Sequence, residues 1–531
     1  MKRCIGYISG ELRNRTISYI DSNTVTKWFF NPVVFGFFYG ICLFLFELKI
    51  FCDVISPFHA MLIVWAGVVS IYNLVIKWKW KTIPGKYFLI LFIISAGITA
   101  VSTLEVGLVH TAKAWIMLVL PLCAFYPICI AGDARERKAK LLKVLLGAAV
   151  VMFVASAIAL GMYLVRYTDL ITVLGIDARI GILYYIPGDP TSGLLLYGIY
   201  VDTNHAAAFA LIFAVYSVVL FKECKNNLFS SKWGNKLGQI FAVASLIVQL
   251  CYFPLANSRG AWLSALVTCF VIGFLVLFLV STGDRKRIIY RISVSLGGAC
   301  IITLMLYGSL FTVRGGMVKC SDYVYSQITL NQTQDQEIQN TQPTTPSAPE
   351  STGGTTTPDA TQPPDNAGNE GDENPGTEPS SPEDSFSKID LNIGSGRLDI
   401  WRETMQLFTM RPMFGTGKGN NAYYATQYGT GEILQSGKAV HNSYLDLLVS
   451  YGAVGFVIFM AFWAYCLCSV LSKIKKDKKQ LGLAFYANAI IVLIVACSSM
   501  FLTSVFIATT AMYYVMLIAV GYLMSFKKQA L

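Results

Sequence analysis

Long apolar runs alternate along this chain with short clusters of charged residues. The runs fall near 31–49, 56–76, 86–104, 114–131, 141–165, 204–221, 237–256, 260–280, 289–311, 444–471, 482–500 and 504–525. Runs of this length suit helices that cross about 30 Å of hydrocarbon, where every backbone polar group must be satisfied within the helix. The pattern predicts an all-α polytopic membrane protein with about twelve transmembrane helices.

The charged clusters give an orientation. Lys77-Trp-Lys-Trp-Lys81, 133–140, 222–236, 284–287, 473–479 and the Lys527-Lys528 tail are all basic. The alternate loops, 47–56, 105–113, 166–203, the bend at Asn257 and 312–443, are poor in Lys and Arg. Lys and Arg favour cytoplasmic loops, so both ends are expected inside a bacterial cytoplasmic membrane. Residues 1–27 are polar and basic, with no apolar core and cleavage site of a signal peptide. The expected order is a cytoplasmic N-terminus (1–27), spans one to nine (28–311) and a large extracytoplasmic loop between spans nine and ten (312–443). Spans ten to twelve (444–525) and a cytoplasmic tail (526–531) follow.

Composition sharpens this picture. The 531 residues are 54% hydrophobic and 14% charged, too few charges for a soluble chain of this length. The net charge of +11 hides a contrast: between Lys319 and Lys388 there are twelve acids and no Lys or Arg. The basic excess lies in the short inter-span loops, as expected for contact with the bilayer and not with nucleic acid. Residues 326–384 hold half of the 18 prolines and are otherwise rich in Thr, Gln, Ser, Asp and Glu. Such a stretch lacks the apolar surface to offset its ordering entropy, and reads as a disordered insert ahead of an ordered catalytic part, 385–443. The 13 cysteines are scattered without CxxC spacing, and the sequence suggests neither a metal site nor a cofactor.

Candidate chemistry gathers on the outer loops. Gly394-Ser-Gly-Arg397 opens a helix with Trp401 one turn on, and Pro412 and Gly415-x-Gly417-x-Gly419 follow. His441-Asn442-Ser443-Tyr444 then leads straight into a long apolar helix, with Tyr451-Gly452-Ala-Val-Gly455 following. Arg259 sits in a tight bend between two apolar runs, where a charge is costly unless it faces a polar cavity; snorkelling to headgroups is the plain alternative. His441 titrates near neutral pH and can take a proton from a hydroxyl. Asn442 can orient a ligand or cap a helix, and Asp202 and Asn204, beside His205, have the same double reading. Arg179 and Lys113 add positive charge to the outer loops; His59 and His110 read as ordinary interface residues. Arginines suit a phosphate through forked hydrogen bonds. Together these residues describe group transfer from a lipid-linked phosphate donor. There is no Asp-x-Asp motif for a metal-bound nucleotide sugar and no P-loop.

Three stretches resemble the O-antigen ligase/polymerase family, the Wzy/WaaL-like membrane glycosyltransferases. They are Gly198 to Phe209 with Asn204, then Ser258-Arg259-Gly260, then the set from Arg397-x-x-x-Trp401 to Gly452-x-x-Gly455. The resemblance implies a GT-C-like fold and metal-independent, inverting transfer of a glycan from an undecaprenyl-diphosphate-linked donor. The acceptor would be a glycan, lipid or wall component, and polysaccharide-export proteins would be partners. It implies His441 as general base, Arg259 and Arg397 as diphosphate ligands, and Asn442, Arg179, Lys113, Asn204, Trp401 and Tyr444 as substrate-binding residues. Tyr200-Val201-Asp202-Thr203 departs from the family's more usual Phe-x-x-Pro. A flippase or a non-catalytic scaffold is the competing class, but the spans carry little charge and the large loop breaks any two-fold repeat.

Overall fold

A computed structural model describes residues 2–55, 58–77, 79–173, 176–184, 194–280, 288–340, 397–477, 481–502, 505–506 and 510–526. The chain forms two compact units, 1–326 with 397–531, and 327–396. The first unit carries the candidate site described below.

Each of the twelve apolar runs contains a helix. Among the described residues seven helices are long and apolar enough to cross a membrane, and five apolar helices of 10–17 residues accompany them. The chain is thus a predominantly helical, multi-pass membrane protein. Helix starts follow local chemistry. Asn31 caps Pro32–Phe46 with a proline in the first turn, Asp133 caps Ala134–Leu164, and Ser231 caps Lys232–Leu255.

The core centres on Ala511–Met524, a helix buried on every side. The Tyr514 hydroxyl lies 2.8 Å from the Gly36 carbonyl and 3.0 Å from that of Val144. It reaches them because Gly40 has no side chain: a Cβ there would sit 2.4 Å from that hydroxyl.

The structure departs from the sequence reading in four places. First, the protein is not all-α. The loop 166–203 holds an antiparallel sheet of β1 (Thr168–Val173), β2 (Ile176–Tyr184) and β3 (Leu194–Gly198), in that order. These strands, of six, nine and five residues, are too short to register as membrane-crossing apolar runs. Second, Ile288–Asn340 is one helix, so residues 326–340 of the stretch read as disordered are helical. Residues 341–384 of that stretch lie outside the described residues. Third, the fourth apolar helix is Leu108–Ala124, which places Lys113 within a helix and not on a loop. Fourth, the last apolar run becomes a helix only at Ala511.

Candidate active site

Three helices begin at the same end of the molecule as the candidate residues: Thr203–Lys225, Arg259–Val280 and Ser443–Asp477. Asp202 caps the first, its carboxylate accepting from the Asn204 backbone N–H at 2.7 Å. That leaves the Asn204 side chain for the second helix: Ser258 Oγ donates to Asn204 Oδ1 at 2.7 Å. Ser258 Oγ also accepts from the Ala261 N–H, and so starts the helix whose first residue is Arg259. Arg259 is exposed at this end, and Gly260 lets the helix approach Phe501 closely.

The third helix is entered through His441, whose backbone is left-handed at φ 51°. For a non-glycine residue that conformation costs of order 1 kcal/mol or more and persists only where the surroundings enforce it. Both sides are pinned. The Trp401 indole N–H donates to the Val440 carbonyl at 3.1 Å. Asn442 Oδ1 accepts from the backbone N–H groups of Tyr444 and Leu445. Ser443, fully buried, donates to the Leu502 carbonyl and accepts from the Val505 N–H. Tyr444 donates its hydroxyl to the Ala496 carbonyl at 2.9 Å.

The glycine-rich loop has its own partner. Ser443–Asp477 is broken at Gly452, where φ is 65° and ψ −175°. Breaking a helix leaves carbonyls and N–H groups unmatched. Here the loop 412–417 matches them: Thr416 and Gly417 donate to the carbonyls of Val449 and Ser450, and Ala453 and Val454 donate to those of Pro412 and Met413. Gly415 and Gly452 are both required, since a Cβ on either would fall within 2.6 Å of opposing backbone. Lys418, next on the loop, pairs with the buried Asp446 at 3.2 Å, one turn into the helix that follows His441. Arg411 reaches the Ser102 carbonyl and Glu105, which also accepts from the Tyr424 hydroxyl at 2.6 Å. Those hydrogen bonds hold the Glu105 carboxyl below the usual range.

The electrostatics converge on His441. Burial, then the Arg397 guanidinium, hold its imidazole below the ordinary value; Asp202 opposes this and His205 adds to it. A neutral imidazole at neutral pH follows, the form that accepts a proton. The fold therefore brings together stretches far apart in the chain: Asp202, Asn204 and His205, then Ser258 with Arg259, then Arg397 and His441.

Not every expected residue joins them. Lys113 is exposed, lines an apolar groove with Ile63, Val109 and Ile116, and places its charge by His59. Arg179 lies on β2, paired with Leu170 in register, and its side chain is outside the described residues. Asn442, Trp401 and Tyr444 hold the His441 turn in place through the bonds given above. Sequence reading missed Glu47, whose carboxylate lies 3.2 Å from His205 Nδ1, and also the Lys418–Asp446 and Arg411–Glu105 pairs. Lys418 and Asp446 stand inside the motifs themselves; nothing local marks Glu47 or Glu105. Among the described residues no three His, Cys, Asp or Glu side chains come together as a metal site.

Below this cluster, Leu211 and Ala265, about two turns into their helices, begin an apolar groove of about 460 Å³ that continues past Cys269, Gly273 and Val276.

No curated protein matches the chain. The Wzy_C family model, described as O-antigen ligase, matches residues 244–460, so the stretch with Ser258, Arg259, Arg397 and His441 is similar to that family's domain.

Proposed function

We propose that this protein transfers a glycan from an undecaprenyl-diphosphate-linked donor to an acceptor hydroxyl on the outer face of the bacterial cytoplasmic membrane. Its place is in polysaccharide assembly, as ligase or polymerase. The observation that carries this reading is the meeting of a proton-accepting His441 with Arg397 and with the Asn204–Ser258–Arg259 corner. His441 takes the proton of the acceptor hydroxyl as its oxygen bonds to the anomeric carbon. The bond from that carbon to the diphosphate oxygen breaks, and the electron pair leaves on the diphosphate. Attack opposite the leaving group inverts the anomeric centre. Arg259 and Arg397 hold the diphosphate more tightly as its charge grows. Diphosphate is a good leaving group, so the step as drawn needs no metal. The apolar groove below suits an isoprenoid chain.

The test uses the lipid-linked glycan that accumulates in a strain lacking this protein. Purified protein in nanodiscs should transfer it, with and without chelator, and His441→Ala should lose about 10²- to 10⁴-fold. A fully active His441→Ala, or chelator inhibition reversed by a divalent ion, would sink the mechanism. A protein that moves the lipid across vesicles without transferring glycan would establish a flippase instead. Deleting residues 345–380 should leave transfer largely intact. External cysteine labelling should reach 411–440 but not 473–477; the reverse would overturn the orientation.

A further inference from the structure

Glu47 and His205 are titratable side chains at this end of the molecule to which the reaction above gives no task. Glu47 ends the Pro32–Phe46 helix, and His205 is in the first turn of Thr203–Lys225. Their juxtaposition is built by the backbone. Lys49 donates to the Ile199 carbonyl, Val201 donates to the Glu47 carbonyl, both at 2.9 Å, and Leu48 bridges Tyr200. His205 Nδ1 then lies 3.2 Å from Glu47 Oε2, with the two side chains 17% and 15% exposed. The Phe209 ring meets the imidazole edge-on, one turn along the helix.

A carboxylate on one ring nitrogen fixes the tautomer and orients the ring. With Nδ1 engaged by Glu47, Nε2 is the nitrogen left for a ligand. An imidazolium held in this way is a charged donor with no lone pair to offer as a base. Its surroundings suit an anion. His205 follows Asn204, which binds Ser258 beside Arg259, and its charge is felt at His441 together with that of Arg397. It also stands at the start of a 23-residue helix, where the backbone dipole favours negative charge. Asp202, which caps its own helix, is turned to the Asn204 N–H, and Glu223 lies at the helix's far end, paired with Lys138. Burial opposes a proton on His205, and the Glu47 carboxylate 3.2 Å away favours one.

We propose that His205, oriented by Glu47, is a further binding residue for the diphosphate of the lipid-linked donor, donating from Nε2 beside Arg259 and Arg397. This rests on the donor assigned above. No bond is made or broken at His205; it holds the diphosphate in the bound donor and more strongly as that group departs.

The experiment measures binding of undecaprenyl diphosphate to the full-length protein in nanodiscs from about pH 6 to about pH 9, the window in which an imidazole titrates. Undecaprenol, which lacks the diphosphate, is the control. Wild-type binding should weaken as pH rises through the titration of His205. Glu47→Gln should bring that weakening to lower pH, because the carboxylate no longer favours the charged ring. His205→Gln should bind about tenfold more weakly at the acid end and lose the step altogether. Wild-type affinity and an unmoved step in both variants would overturn the proposal. If Glu47→Gln does not insert, His205→Gln decides alone, since a merely structural role leaves the pH step in place. Wild-type protein that binds undecaprenyl diphosphate no better than undecaprenol would instead overturn the donor assignment itself.

Discussion

Ser258 Oγ donates to Asn204 Oδ1 at 2.7 Å, joining the starts of two helices that lie 54 residues apart in sequence. Ser258 is buried and Asn204 half-buried, so removing either leaves a partner unmatched at about 1–3 kcal/mol. Asn204→Ala and Ser258→Ala should each lower thermal stability and slow transfer. The double variant should cost less than the two single losses together, because they remove one interaction. Strictly additive losses in a thermal-unfolding cycle would show that the bond carries no energy.

The Gly452 break should not tolerate a side chain. A Cβ there would sit 2.3 Å from the Met413 carbonyl oxygen, and φ 65° with ψ −175° belongs to glycine. Gly452→Ala should therefore cost more than about 2 kcal/mol and give little monodisperse protein. Gly437→Ala is the control: φ is 77° there, but nothing lies within 4 Å of the added carbon. Equal yields of the two variants would show that the close approach of Gly452 to the 412–417 loop does not exclude a side chain.

Trp401→Phe keeps an aromatic ring and loses the N–H that pins Val440, one residue before His441, the proposed base. Transfer should slow by about tenfold in kcat with little change in KM, since misplacing a catalytic group costs rate more than binding. A rise in KM alone would mean that Trp401 contacts substrate instead.

The pH profile reports His441. A general base works unprotonated, so kcat/KM should rise with pH through its pKa and level off above it. Burial and Arg397 lower that pKa, so the acid limb should lie below the ordinary imidazole value of about 6.5. Arg397→Gln removes one of the causes and should move the limb to higher pH, apart from its effect on binding. A limb that stays in place would show that Arg397 and His441 do not interact in the working enzyme.

Glu105 ties the loop to the preceding helices through Arg411 and Tyr424. Its carboxyl is held below the usual range, so its contribution is present above the unfolded-state value and is lost as pH falls through the lowered one. Glu105→Gln should expose 411–440 to limited proteolysis at neutral pH. An unchanged digestion pattern would assign the tie to other contacts.

What was legible in the sequence is what is encoded locally. Apolar runs gave the helices because hydrophobicity over about 20 residues is read without knowing any neighbour. Asp202 reads as a helix cap for the same reason: a cap needs only the next three residues. Arg259, Arg397 and His441 stood out because charged and titratable residues are sparse between the long apolar runs and these three sit beside helix starts. The sheet in 168–198 was missed because its strands owe their pairing to one another.

The tertiary structure decided which of these residues share a site and what each is for. Asn442, Trp401 and Tyr444 all stand in conspicuous motifs, yet their polar atoms point to backbone and hold the His441 turn. Lys113 lies by His59 instead, because its helix begins at Leu108. Glu47 meets His205 across 158 residues, through a backbone pairing that no local pattern announces. The sequence alone determined a membrane-spanning helical chain with arginines and a histidine set between its apolar runs. Assembly of a site from them is a long-range event, set by how the helices pack and by how a broken helix finds partners for its unmatched backbone.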